Sequence, residues 1–216
     1  MDAGEMNAWQ LMVQGGPLMW PILLCSLTGL AIFIQKLFYF SSISTDIAQI
    51  KMRVFDLIKQ NKLKDAIVLC EQNSSSVAKV IKAGIVKYGA SRDEIKEAME
   101  DVSLFEIFKL EKYLHVLSTI AHVTPLFGLL GTVMGMTVSF QAIQLRSASM
   151  NPVTSSDVAG GIWQALLTTI FGLFVAIPAL LAFNYCVGRV NSFVIEMERA
   201  ATEVVNLLSH LSESST

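Results

Sequence analysis

The sequence predicts an all-α integral membrane protein with three transmembrane helices and long helical extensions outside the bilayer. Three observations predict it. Of 216 residues, 53% are hydrophobic and only 16% are charged, whereas a soluble domain carries about 25% charged residues. The mean hydropathy is +0.53. Residues 6–35, 113–145 and 158–188 contain no Asp, Glu, Lys or Arg, and each run exceeds the roughly 20 apolar residues that a span requires.

The elements follow in chain order. Residues 1–16 form an outer N-terminal segment, with Asp2 and Glu5 where a signal peptide would carry basic residues. No small-residue cleavage site follows, so the first run reads as a retained anchor. Residues 17–40 form the first span. Residues 41–114 form a cytoplasmic helical loop, and its 41–112 portion holds 12 of the 16 Lys and Arg residues. That bias places it inside. Helical spacing predicts helices over Asp46–Lys59, Leu63–Glu71 and Val77–Tyr88, with Asn73–Ser76 as a break and Gly89 as a stop. Ser91 followed by Glu94 is a capping-box signal. No Pro or Gly occurs from Arg92 until Pro125, so one helix is expected to run from Ser91 through the second span, 115–145. A short outer loop, 146–158, carries Arg146 as its one basic residue. The third span, 159–188, continues into a cytoplasmic C-terminal helix and tail, 189–216, with helical spacing to Leu208 and a frayed end at Ser212–Thr216.

Composition also excludes functions. A net charge of −2 and a pI of 5.9 offer no basic surface for nucleic acid. Cys25, Cys70 and Cys186 have no metal-like or redox-like spacing; Cys25 and Cys186 read as small hydrophobes. No span carries a metal-ligand cluster, a carboxylate pair or a nucleophile beside a base. No enzyme activity, metal or cofactor is expected.

The spans sort into faces at 100° per residue. In the second, Ala121, Thr124, Gly128, Gly131, Thr132, Gly135, Ser139 and Ala142 share a sector of about 100°. In the third, Gly161, Ala165, Thr168, Thr169, Gly172, Ala176 and Ala179 do the same. Bulky residues point elsewhere. Gly131–Gly135 is a GxxxG, so one reading is close helix packing. The other is a pore wall, in which threonine hydroxyls hold water or an ion without fixed charge. Thr132 and Thr169 lie about 21 and 18 Å from the outer ends at 1.5 Å per residue, nearly one level. Several copies in a ring could enclose such a wall. Gln164 stands at the stripe's edge, one turn before Thr168 and Thr169, able to bond across helices or to line the pathway. Pro125 and Pro178 are expected to kink their helices. His122 falls on the bulky side, read first as packing or an interfacial hydrogen bond and, as the alternative, as a proton relay. No carboxylate lies in the charge-free runs, so a proton carrier would have to come from a partner.

Residues 117–136, LSTIAHVTPLFGLLGTVMGM, resemble the second-span signature of the MotA/TolQ/ExbB proton-channel family. Residues 160–178, GGIWQALLTTIFGLFVAIP, resemble its third-span signature, and 15–21, GGPLMWP, the opening of the first span. Three spans and a cytoplasmic loop suit the ExbB/TolQ branch; the MotA branch has four. The resemblance implies a homopentameric ring in a bacterial inner membrane, with the N-terminus periplasmic and the C-terminus cytoplasmic. The ring would surround an ExbD/TolR-like single-span dimer that supplies a membrane Asp. It would couple proton-motive force to a TonB/TolA-like periplasm-spanning protein. Thr132 and Thr169 match the family's pore-facing threonines. Gln164 departs from the Glu of the best-known members and cannot titrate. His122 replaces a usually small residue. The alternative to this stator reading is a passive scaffold assembled by small-residue packing.

Overall fold

The computed structural model describes residues 8–44, 47–73, 75–149, 152 and 154–214. The expected helix start at Asp46, Ser74 of the expected break, and the last two residues of the expected tail lie outside them, as do residues 1–7. Among the described residues the chain is helical: α1 (Ala8–Gln14), α2 (Met19–Ser44), α3 (Ile47–Lys59), α4 (Leu63–Glu71), α5 (Ser76–Val86), α6 (Arg92–Glu111), α7 (Leu114–Ala148) and α8 (Ser155–Ser214). Three stretches, Met19–Ile43, Arg92–Ala148 and Val158–Leu211, are long and apolar enough to cross a membrane. The chain divides into two compact units.

The first unit comprises residues up to Ile34 together with Tyr113–Asn184. Gly16 sits at φ +80° between α1 and α2, a backbone state that glycine adopts without a steric penalty. Ile32, Leu117, Ile120, Ala121, Ala179 and Ala182 form a buried cluster, with Cys25, Phe33 and Phe183 packed against it. Pro125 and Pro178 both lie inside unbroken helices. Leu126, Leu129, Val133, Phe140, Ile170, Phe174 and Leu181 are exposed, as lipid or protein neighbours in a bilayer allow.

The second unit comprises Gln35–Lys112 and Tyr185–Thr216. Two of its helices, α5 and α6, start where side chains supply the caps. Ser75 Oγ accepts from the Ala78 amide at 3.2 Å. Ser91 and Glu94 exchange both bonds of the capping box, at 3.3 and 3.1 Å, satisfying two otherwise orphaned donors of α6. Val54, Ile58, Ala66, Val80, Ile81, Met99, Met197 and Val204 are fully buried. The Cys70 thiol is buried too, and burial pushes it up to about 11, so it is protonated at neutral pH and packs as an apolar group.

The expected single helix from Ser91 through the second span is broken. Lys112 turns to ψ 131° and Tyr113 takes a left-handed φ of 68°. The reason is tertiary. Lys36, 4% exposed, reaches from α2 and donates from Nζ to the Leu110 carbonyl at 2.7 Å. It meets a helix-end carbonyl lacking its intrahelical partner, where a cation is also favoured by the helix dipole.

Glu106 is the second buried charge, 1% exposed. It accepts from Ser76 Oγ at 3.0 Å, Lys79 Nζ at 2.9 Å and Lys109 Nζ at 2.8 Å, tying α5 to α6. Burial alone raises this carboxyl, but the bonds from Lys109, Lys79 and Ser76 outweigh it and hold it below its ordinary 4.5. The cluster therefore adds stability at and above the ordinary carboxylate range and loses it as pH falls through the lower folded value. Because both lysines can reach water, Glu106→Gln is expected to cost about 2 kcal/mol at neutral pH, below the roughly 3–5 kcal/mol of a fully buried pair. Thermal unfolding in mild detergent checks this, and the gap to wild type should narrow below pH 4.5.

Candidate functional site

The small-residue stripes of α7 and α8 meet within one chain, as an antiparallel seam. Going up α7, the partner positions on α8 run down. A Cβ on Gly172 would lie 3.0 Å from the Thr124 carbonyl oxygen. One on Gly128 would lie 3.1 Å from Thr169 Cα and 3.2 Å from the Thr168 carbonyl oxygen. Gly131 abuts the Thr168 side chain, and Gly135 abuts the Gly161 carbonyl and Ala165. The missing side chains let the backbones approach, which is how helices gain contact in lipid. Ala165 and Ala176 are buried along the same line, each 4% exposed.

Hydroxyls stitch the seam. Ser139 Oγ donates across it to the Val158 carbonyl at 3.0 Å. Thr169 Oγ1 donates across it to the Gly128 carbonyl at 3.2 Å and along its own helix to Ala165 at 3.3 Å. Thr124 and Thr168, 0 and 1% exposed, bond back to carbonyls of their own helices. The single chain thus encloses Thr168. Thr132 differs. It is half-buried and sits on the seam's flank, where Oγ1 donates to the Leu129 carbonyl at 2.6 Å. Thr169 is likewise half-buried. Each keeps its oxygen lone pairs as acceptors while its proton is engaged.

Gln164 is half-buried, its amide set against the backbone of Gly16. Beside it Trp163 Nε1 donates to Gln14 Oε1 at 3.0 Å. The start of α8 therefore holds the α1–α2 connection. His122 is exposed and its Nδ1 lies 2.7 Å from the Ser118 carbonyl. A carbonyl only accepts, so Nδ1 carries the proton. Among the described residues no group of His, Cys, Asp and Glu is arranged to hold a metal.

Sequence reasoning assigned Lys36 no role in packing and passed over Glu106. Lys36 had a signal: it is the first charge after a charge-free run of 30 residues. Glu106 had a faint one, the i,i+3 spacing to Lys109.

Comparison with known proteins agrees in extent with these elements. The MotA/TolQ/ExbB proton channel family matches residues 72–199, which include the whole seam. The chain is 33% identical over 171 residues to ExbB-like protein 3 of Synechocystis, described as a biopolymer transport protein, covering 79% of this chain and 80% of that one. It is 29% identical over 185 residues to an ExbB homolog of Methanothermobacter thermautotrophicus, covering 85% of this chain and 64% of that one. It is 32% identical over 142 residues to the Tol-Pal system protein TolQ of Pseudomonas aeruginosa, covering 57% of this chain and 60% of that one.

Proposed function

Since the chain belongs to the MotA/TolQ/ExbB proton channel family, and is thereby a multi-pass membrane protein of the channel kind rather than an enzyme, we propose that it is the ring-forming stator subunit of an inner-membrane motor. Five copies surround a single-span dimer of the ExbD/TolR kind, and the assembly drives a periplasm-spanning protein of the TonB/TolA kind. The N-terminus is periplasmic, and the basic 41–112 segment and the C-terminus are cytoplasmic, as the distribution of Lys and Arg favours.

One observation carries this reading: a seam of small residues and hydroxyls with no Asp, Glu, Lys or Arg inside the charge-free runs, and with His122 exposed rather than packed into it. A proton crossing a membrane needs a titratable carrier, so the carrier is the partner's carboxylate. Each proton that runs down the potential releases about 2.3 kcal/mol per 100 mV. Protonation neutralises the partner Asp, which lets its helix face an apolar wall; re-ionisation reverses this and moves the helix. Thr132 and Thr169, both partly exposed, supply hydroxyls along that route. Thr168 and the glycines hold the wall straight behind them. Gln164 keeps the entrance segment docked and contributes no proton.

A passive scaffold is favoured by the same seam, because close packing alone explains the glycines. Native mass spectrometry in mild detergent separates the two readings. The chain co-expressed with its single-span partner is expected to give a closed pentamer holding two partner chains. A monomer or dimer that ignores the partner would leave Thr132 and Thr169 without a shared lumen and would return the seam to packing alone.

A further inference from the structure

The second unit leaves large apolar side chains uncovered outside the charge-free runs. Leu104, Phe105 and Phe108 follow one another at helical spacing on α6 and are 66, 61 and 71% exposed. Exposed apolar residues scattered singly are ordinary, whereas a contiguous group marks a contact surface. The Phe105 ring is held in place by the Lys109 ammonium, 4.0 Å from its centroid, and Lys109 is itself anchored on Glu106. Toward the start of α6 the same face turns acidic, with Glu97 and Asp101 exposed. A surface that is apolar at one end and acidic at the other fits one that sets apolar beside basic groups.

The same unit carries such a surface. On α3, Met52 is 61% exposed, with Arg53 and Lys59 exposed beside it in an arc of about 120° at 100° per residue. Asp56 shares the arc, but exposed Lys62 and Lys64 follow it and keep the patch net positive. Both faces are open, so the chain itself uses neither against the other. A lipid surface fits the first face poorly, because anionic headgroups would meet Glu97 and Asp101.

We propose that the Leu104–Phe105–Phe108 face of one copy docks on the Met52–Arg53–Lys59 face of a neighbouring copy. The contact is heterologous: each copy offers one face and receives the other, and repetition of such a contact closes a ring when the rotation permits. It rests on the ring-forming reading above and adds the surfaces by which neighbours join outside the spans. Opposed charges set the order in which the two faces meet.

The test places the photoreactive analogue p-benzoylphenylalanine at Phe108 of the full chain, co-expressed with a second copy bearing a different tag, and irradiates intact membranes. The expected product joins the two tags, with cross-linked peptides from the α6 face and from residues 47–64. A product with lipid, with a different protein or within one chain, or no product at all, overturns the proposal. Glu97→Lys with Asp101→Lys is expected to lower the yield about fivefold, through like-charge contact, and Arg53→Glu with Lys59→Glu to restore it. Failure of that restoration also counts against it. Cross-linking that persists in a chain with no proton-driven activity would sink the stator reading and leave the contact standing.

Discussion

Gly128→Val is expected to drive the second and third spans apart and to leave little monodisperse protein in detergent. The added carbon atoms would meet Thr169 Cα and the Thr168 carbonyl at 3.1 and 3.2 Å, and these are backbone atoms with no rotamer to yield. Overpacking in a well-packed interior costs about 1–3 kcal/mol where side chains can shift; here the figure is at or above the top of that range. On the opposite helix even a Cβ on Gly172 would meet Thr124 and Gly128 backbone atoms at 3.0–3.3 Å, so relaxation from that side is closed as well. Fluorescence-detected size exclusion with a thermal ramp measures the effect. Gly160 is the control, since a Cβ there meets nothing within 4 Å, and Gly160→Ala should elute as wild type. Equal behaviour of the two variants would mean that the seam does not hold the helices together.

The second large effect is on transport and leaves folding almost untouched. Thr132→Val with Thr169→Val keeps shape and removes two hydroxyls. Thr169 loses its bond to the Gly128 carbonyl, worth about 0.6 kcal/mol by the average for such bonds in membranes. Thr132 loses a bond to its own helix, whose carbonyl keeps its backbone partner. The double variant should therefore assemble normally. Proton-driven work should fall at least about tenfold, as though 1.4 kcal/mol had been added to the barrier. Thr169→Ser, which keeps the hydroxyl, should restore most of the loss when paired with wild-type Thr132. Retained activity in the valine pair would remove both threonines from the pathway.

Much of this architecture was legible in the sequence because its signals are local or compositional. The charge-free runs needed only counting. Helix α4 begins and ends at the expected Leu63 and Glu71, and the Ser91–Glu94 box forms as written. Both small-residue stripes are visible on a helical wheel, but the wheel does not say what faces them. The seam turns Thr168 inward and leaves Thr132 at the flank, a distinction that 100° steps alone do not make. The break at Tyr113 was illegible for a different reason. No Gly or Pro marks it, and an aromatic residue at φ 68° is disfavoured locally by about 1–2 kcal/mol. It persists beside a lysine 74 residues away in the chain that takes up a carbonyl. Glu106 is similar: its lysine on α5 is 27 residues distant, beyond any periodicity.

A seam made of absent side chains has a consequence for mutational scanning. Alanine substitution works by deletion, and Gly128, Gly131 and Gly135 have nothing to delete. At those positions alanine is an insertion, and at Ala165 and Ala176 it is silent by definition. A map of alanine effects would thus report the cost of insertion, not of deletion, along the middle of the seam and leave blanks beside it. Its strongest losses would fall on bulky neighbours such as Leu117. Only a scan by size, stepping each position from glycine through alanine and serine to valine, reads the seam in its own units.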